Sequence, residues 1–434
     1  MALRTGAINM AVGLLFLAVV NCGQATPQQT VITLDPQQKF QMISGWEATA
    51  QAAESYSPAF ANYKERLFQE AVNDLGINRL RLEIRSGAEN PQDFFRAFEA
   101  GQINEEAWRS HYYEVMNDND DPFTINPKGF TFSELDSTVE KIILPMRKLL
   151  SVRGESLFVN LNYIDFADWR GASNISHKSD PEEYAEFILA AYEHLQSKYG
   201  FVPDAVEVIL EPDAKTGWTG TDIGRVMVAT AKRLRANNFA PAFIVPSTTN
   251  AANAPIYIDE IAQVPDAMQY VKEFSYHRYC CVSPDVLKRI AERASKFGVG
   301  TGMLEWIGAD QNTLHEDLKV GNNSSWQQYT LAFNNQPDNG AQYYLVDDKE
   351  KLRPTVTGGR RTAFLRQYFR YIRRGAVRIG AGSSNSSFDP VAFINANGNY
   401  VVVVKAVTPG TISFETLPPG KYGKSYTTAD RSAT

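Results

Sequence analysis

Apolar and polar positions along the 434-residue chain switch repeatedly between a period of two and a period near 3.6. Residues 30–34 alternate as a strand, and 39–46 form a second short run entering Ser44-Gly45-Trp46-Glu47. Residues 60–75 then read as an amphipathic helix stopped by Gly76, and 77–84 (Ile-Asn-Arg-Leu-Arg-Leu-Glu-Ile) as a strand. A helix over 136–150 and a strand over 157–162 follow. Asp180 caps the next helix, which runs to Tyr199 with Pro181 at its first position and Glu183 three residues after the cap. Residues 205–210 read as a strand ending in Glu211-Pro212, and 221–237 as a helix with Lys232, Arg233 and Arg235 in its last turn. Strands at 243–246, 274–279, 300–306 and 342–346 alternate with helical segments at 256–261, 284–296, 326–333 and 361–374.

Counted from Met42, the pattern predicts eight strands, each followed by a helix. Such alternation implies parallel pairing through right-handed crossovers. Eight units over residues 41–375 predict an α/β fold, a closed (β/α)8 TIM barrel. An open doubly wound sheet is expected to carry a glycine-rich turn after its first strand, and Gly45-Trp46-Glu47-Ala48 is not one. From residue 376 the texture becomes short strands (376–379, 390–395, 400–404, 411–415), with Asn397-Gly398 as a hairpin turn. Residues 376–434 are therefore expected to form a small C-terminal β-sandwich-like module, to which segment 26–40 is placed to add a strand. Its tail, 430–434, offers no closing strand, so the module reads as incomplete. The connection over residues 86–131 is out of scale for a barrel and rich in aromatics (Phe94, Phe95, Trp108, Tyr112, Tyr113). On the second strand-to-helix crossing it is expected to wall a cleft. Asn117-Asp118-Asn119-Asp120-Asp121 within it lacks the glycine and closing glutamate of an EF-hand and reads as Asx turns.

Composition narrows the classes. The chain is 44% hydrophobic and 21% charged with net charge −6, ordinary for a globular protein and no basis for a nucleic-acid partner. The arginines at 360, 361, 366, 370, 373, 374 and 378 read as a helix's polar face and a domain junction. Arg4, the short apolar run 8–20 and Gly23-Gln24-Ala25 read as a secretory signal over residues 1–25. Val19-Val20-Asn21-Cys22 loosely resembles a bacterial lipoprotein box, but Asn21 stands where a small residue is usual. Simple secretion is the expectation, with a lipid anchor at Cys22 the alternative. No other segment is long and apolar enough for a membrane span. The adjacent pair Cys280-Cys281 cannot make a disulfide framework and is expected simply to pack at a strand end.

Active sites of such barrels form at the carboxyl ends of the strands. The polar residues there are Trp46 and Glu47, Arg81 and Glu83, Asn160 and Asn162, Glu211, Ser247, His277 and Tyr279, and Glu305. Glutamate-proline closing strand four, His-x-Tyr on strand six and Glu-Trp on strand seven resemble the retaining barrel glycosidases. Ile43-Ser44-Gly45-Trp46, Leu75-Gly76-Ile77-Asn78-Arg79-Leu80-Arg81, Tyr276-His277-Arg278-Tyr279 and Tyr371-Ile372-Arg373-Arg374-Gly375-Ala376-Val377-Arg378-Ile379 resemble glycoside hydrolase family 30 in particular. That resemblance spans the chain from about residue 30 to its end.

The resemblance implies Glu211 as general acid/base and Glu305 as nucleophile, acting on a β-linked oligo- or polysaccharide with no metal and no cofactor. Retention needs two carboxyls about 5–5.5 Å apart, one giving its proton to the leaving oxygen and one attacking the anomeric carbon. Arg81 is placed to orient the nucleophile, with Tyr279 or His277 able to do the same. Trp46, Trp169 and Trp306 offer faces for a sugar ring, and Asn162 a polar contact. One departure stands out: family members carry asparagine immediately before the acid/base, touching the sugar's 2-hydroxyl, and here Leu210 cannot hydrogen-bond. The same fold as a non-catalytic glycan-binding relative is therefore the alternative. A metal-dependent barrel hydrolase would gather histidines at strand ends, and of five histidines only His277 lies at one. A serine hydrolase lacks its Gly-x-Ser-x-Gly elbow.

Overall fold

The computed structural model describes residues 29–166, 175–214, 217–429 and 432–433. The strands of the two large sheets are β1 (Thr30–Met42), β2 (Gly45–Thr49), β3 (Arg79–Arg85), β4 (Phe158–Ile164), β5 (Ala205–Glu207), β6 (Ala242–Asn250), β7 (Val271–Cys280), β8 (Gly300–Glu305), β9 (Asn323–Asn334), β10 (Gln342–Asp347), β11 (Thr355–Gly358), β12 (Val377–Ser383), β13 (Phe388–Ile394), β14 (Tyr400–Ala406) and β15 (Ile412–Glu415); in the tail, where no closing strand was expected, Tyr426–Thr427 pairs with Ser432–Ala433 as a separate two-stranded sheet. Strands β2 to β9 pair parallel in sequence order, and β9 pairs back to both β8 and β2, closing an eight-strand barrel. β1 is not in it. It lies in a five-stranded sheet of order β14-β13-β12-β1-β15, antiparallel to β12 and parallel to β15.

Four elements differ from the sequence expectation. Residues 326–333, expected as a helix, are the core of β9, and the helix after β8 is Gln311–Lys319. The alternation is legible in hindsight: Ser325 and Gln327 bond Glu273 and Thr49 across the barrel interior, whereas Trp326 faces outward onto Phe369 at 5.9 Å. Residues 342–346 form β10, outside the closure. β9 is 12 residues long, and its second half, free of β8, pairs with β10. The fourth barrel strand is also short. Only Ala205–Glu207 joins the ladder, and the chain leaves it before Glu211. The run expected over 39–46 is divided between β1 and β2.

Most of the apolar core lies outside the barrel, between strands and helices, and a small cluster of Ala205, Ile244 and Leu304 lies within it. On β3 the outward Leu80, Leu82 and Ile84 are buried against helices, while the inward set is Arg79, Arg81 and Glu83. Beside that small apolar cluster, polar layers fill the barrel interior. Arg79 bonds Glu47 at 2.6 Å and Glu273 at 2.9 Å near the amino ends. Above it Asn160 donates to Glu47 and Glu207, and Glu207 accepts from Ser247 at 2.6 Å. Such buried charges persist only because each has a bonded partner.

The helix Pro181–Tyr199 begins on Asp180, whose carboxylate accepts from the Glu182 and Glu183 amides, and ends at Gly200 with φ 69°. Residues 86–131 hold their own short helices, Phe94–Glu99 and Glu105–Arg109. Trp108 centres an aromatic cluster there, 4.7 Å from Phe98, 5.0 Å from Phe95 and 4.9 Å from Tyr112. Asn119 and Asp121 accept from the amides two residues on, the Asx turns expected of that segment. At the junction with the C-terminal sheet, Arg366 and Arg370 bond Asp74, and Arg373 bonds Glu155. None of the described helices is long and apolar enough to cross a membrane. The expected signal segment and Cys22 lie outside the described residues.

Candidate active site

Strands β3, β7 and β8, and the turn after β5, bring five of the expected side chains together. Arg81 projects from the inward face of β3 and donates to Glu305 Oε2 at 2.6 Å and Glu83 Oε1 at 3.3 Å. The Tyr279 hydroxyl, at the end of β7, donates to the other Glu305 oxygen at 2.8 Å. Glu305 closes β8, and its side chain is only 10% exposed. Burial pushes its carboxyl up, but Arg81, His277 and Tyr279 outweigh that and hold it below the ordinary glutamate value. Arg81 is itself fully buried, and its charged form is reinforced by Glu305 and Glu83 against the cost of burial.

Glu211 sits nearer the rim, its side chain 18% exposed. Its backbone is left-handed, φ 50°, a conformation that costs a non-glycine residue about 1 kcal/mol or more. The Glu211 amide donates to the Ser247 carbonyl at 3.2 Å, and Asp213 accepts from the Thr249 and Asn250 amides, which fixes the turn. The turn aims the carboxylate at His277: Nδ1 lies 2.9 Å from Glu211 Oε1. An imidazole can take either side of that bond, so the pair accommodates a proton whichever form Glu211 is in. Burial pulls His277 down, yet Glu211 and Glu305 raise it above the ordinary histidine value. His277 thus bonds the rim glutamate, and Tyr279 alone of the two bonds Glu305.

Ligand atoms of Glu211, His277 and Glu305 all lie within 4.8 Å of one another. At least one oxygen of each carboxylate therefore lies within 4.8 Å of an oxygen of the other. The same three groups could approach a cation, but Arg81 already compensates the Glu305 charge.

The remaining expected residues divide. Asn162 faces the barrel interior in register with Glu83 and Glu207, fully buried, and neither end of its amide has a partner among the described residues. Its hydrogen-bonding capacity is unspent beside the carboxylates. Trp306 is half-buried next to Glu305, with the Arg278 guanidinium 5.6 Å from its ring centre. Trp46 is not a sugar platform. It is fully buried, stacked on Phe369 at 4.4 Å with its indole N–H donated to the Ile372 carbonyl, because the outward face of β2 meets the last helix. Trp169 lies outside the described residues. Glu47 belongs to the Arg79 layer and Glu83 to Arg81 and Gln51. Cys280 and Cys281 are exposed and bonded to each other, rather than packed as thiols.

Leu210 is 7% exposed and packs with Tyr113 and Ile164. It lines a cavity of about 390 Å³ together with Glu83 and Tyr329, the immediate neighbours of the carboxylate pair. Tyr56, Phe95, Trp108, Arg109 and Tyr112 form its far wall, so the long β3 connection does shape the space beside the pair. Glu211 and Glu305 border this cavity without lining it. Sequence reasoning missed Tyr329, whose ring centre lies 5.7 Å from the Arg81 guanidinium, because its segment was expected to be helical. It also missed Glu207, whose place inside the barrel follows from its two-residue offset from Ala205 on a strand.

Residues 375–434 match the family description "Glycosyl hydrolase family 30 beta sandwich domain". No curated protein sequence matches the chain. Among solved structures, a conserved exported protein from Bacteroides fragilis superposes with TM-score 0.64 at 15% identity, covering 92% of this chain and 95% of its own. The endo-beta1,6-glucanase BT3312 gives 0.61 at 16%, with 88% and 87% covered. The catalytic domain of family-30 xylanase C from Talaromyces cellulolyticus gives 0.59 at 14%, with 86% of each chain covered. The resemblance to glycoside hydrolase family 30 is thus carried by the sequence of the C-terminal domain and by the fold of the whole chain, a closed barrel with a β-sandwich-type sheet.

Proposed function

We propose that this protein is a secreted, retaining β-glycosidase that hydrolyses a β-linked oligo- or polysaccharide. The observation that carries the reading is the unequal environment of two carboxylates whose oxygens lie within 4.8 Å. Glu305 is enclosed, charge-compensated by Arg81 and hydrogen-bonded by Tyr279, and so held ionised for attack on an anomeric carbon. Glu211 stands at the rim where a leaving group departs, in hydrogen-bond contact with His277. In the first step Glu305 forms a bond to the anomeric carbon while Glu211 gives its proton to the departing oxygen. In the second, Glu211 takes a proton from water, which displaces Glu305 and releases the sugar with its configuration kept. Both groups are side chains, so the chemistry needs no cofactor.

The substrate class is supported by the neighbours' names, which include xylanases and an endo-β1,6-glucanase, and by the aromatic cavity beside the pair. Secretion rests on residues 1–25 and on the exported neighbour. Leu210 favours a second reading, a glycan-binding protein of the same fold without turnover. A panel of aryl β-glycosides, xylans and β-glucans, assayed with wild type, Glu305→Gln and Glu211→Ala, decides between them. Turnover abolished by Glu305→Gln supports the glycosidase. Turnover indifferent to it refutes the assignment, and binding without turnover across the panel supports the second reading.

A further inference from the structure

The wall of the cleft carries a second constellation, unrelated to the sugar chemistry. We propose that Glu89, Asp118, Glu183 and Glu186 form a calcium-class divalent-cation site that ties the β3 connection to the helix Pro181–Tyr199. Carboxylate oxygens of Glu89, Asp118 and Glu183 lie within 4.8 Å of one another. That is the span across an ion bound by oxygens at about 2.3–2.6 Å. Glu186, one helical turn beyond Glu183, is 1% exposed, and neither of its oxygens has a hydrogen-bond partner among the described residues. Asp118 Oδ1 and Glu183 Oε2 are likewise shielded from solvent and unpartnered.

Four carboxylates drawn from two separate segments repel one another unless something positive sits among them, because burying an unpaired carboxylate is expensive. Among the described residues, His177 and Arg233 are the cationic side chains that act on Glu183 and Glu186, and both are bonded to other groups. His177 bridges Glu89 at 2.7 Å and the Tyr163 hydroxyl at 2.7 Å, so both ring nitrogens are used. Arg233 is bonded to Glu182 at 2.8 Å and to the Pro122 carbonyl at 2.7 Å.

The donor set is oxygen throughout, which selects a hard cation, and several carboxylates on an irregular turn suit calcium better than the tight octahedron of magnesium. The Asp118 amide already donates to Glu89 Oε1 at 3.2 Å, so the turn is held beside the acids without the EF-hand pattern. Bound calcium cross-links the cleft wall to the barrel, through Glu89 and His177 to Tyr163 on β4 and through Glu183 and Glu186 to the outer helix.

The test uses the full chain, stripped with EDTA and dialysed, then titrated separately with CaCl2 and MgCl2 by calorimetry while Tm is followed. One Ca2+ per chain is expected, with Mg2+ at least tenfold weaker and Tm higher by roughly 3 °C at a hundredfold excess of calcium over Kd. Glu186→Gln and Asp118→Asn should each weaken calcium at least tenfold. A cooperative metal-free unfolding transition in each variant shows it to be folded. Absence of calcium binding with a Tm unchanged between EDTA and excess CaCl2 overturns the site. Magnesium binding as tightly as calcium overturns the calcium class, and calcium affinity indifferent to both substitutions overturns the ligand assignment.

Discussion

Tyr279→Phe removes one hydrogen bond from the nucleophile and leaves its ring in place. The bond runs 2.8 Å from the phenol to Glu305 Oε1, while Arg81 keeps the other oxygen. A hydrogen bond to a charged group is worth about 1.5–3 kcal/mol. Part of that energy holds the carboxylate in line for attack, and part holds it ionised. Its loss is expected to lower kcat/KM roughly 10- to 100-fold. A pH signature accompanies the loss. Glu305 is held below the ordinary glutamate value, in part by Tyr279, and only the ionised form attacks. Removing the phenol raises its value, so the acidic limb of the kcat/KM profile moves to higher pH. Stability moves the same way: the contribution of ionised Glu305 is present above its unfolded value and lost as pH falls through the folded one, now at a higher pH. The assay is a pH–rate profile on the best substrate of the panel, wild type against variant. An unchanged kcat/KM with an unmoved acidic limb would refute the role given to this bond.

Three further outcomes follow from the same geometry. His277 is raised above its ordinary value, so its contribution to stability is complete below about pH 6.5 and disappears as pH rises through the folded value; His277→Gln should flatten that part of a Tm-against-pH curve, and an unaltered curve counts against the charged pair with Glu211. Arg79→Met leaves Glu47 and Glu273 buried without their shared cation and should cost about 3–5 kcal/mol by denaturant unfolding; a cost below 1 kcal/mol would mean that the polar interior tolerates loss of its lowest layer. Trp108→Ala empties the centre of the cleft-wall cluster, and should destabilise the wall by about 3–5 kcal/mol and raise KM more than it lowers kcat; an unchanged KM removes that wall from the substrate's path.

The barrel was legible because its strands and helices differ in period, and because β3 shows both faces at once: Arg79, Arg81 and Glu83 inward, Leu80, Leu82 and Ile84 outward. Glu305 and Tyr279 could be placed at one mouth because they end or nearly end their strands, whereas Arg81 lies early on the inward face of β3 and Glu211 in the turn after β5. The eighth strand was not legible in the same way. Ser-Ser-Trp-Gln-Gln-Tyr-Thr-Leu-Ala-Phe carries polar residues on both faces, since its inward side meets a charged interior and its outward side bonds Asp317 and Gly340 through Trp326 and Gln328. With no apolar stripe to fix a period, the sequence favoured a helix there, and Tyr329 was lost with it. Trp46 misled for a related reason: a tryptophan at a motif near a strand end signals stacking, but its side chain takes the outward face of β2, where Phe369 stacks on it. The acid cluster was invisible because Glu89, Asp118 and Glu183 are brought together by folding alone. Leu210 was legible as a departure, whereas its surroundings, Tyr113 and Ile164, emerge only from the packing of the long connection against β4.

The central claim is double displacement at Glu305, and the stereochemistry of the first-formed product tests it most directly. Proton NMR of the anomeric region, recorded within the first turnovers of a β-linked substrate and before mutarotation, is expected to show the β-anomer appear first, with no product from Glu305→Gln. Initial release of the α-anomer, or equal turnover by Glu305→Gln, would contradict it.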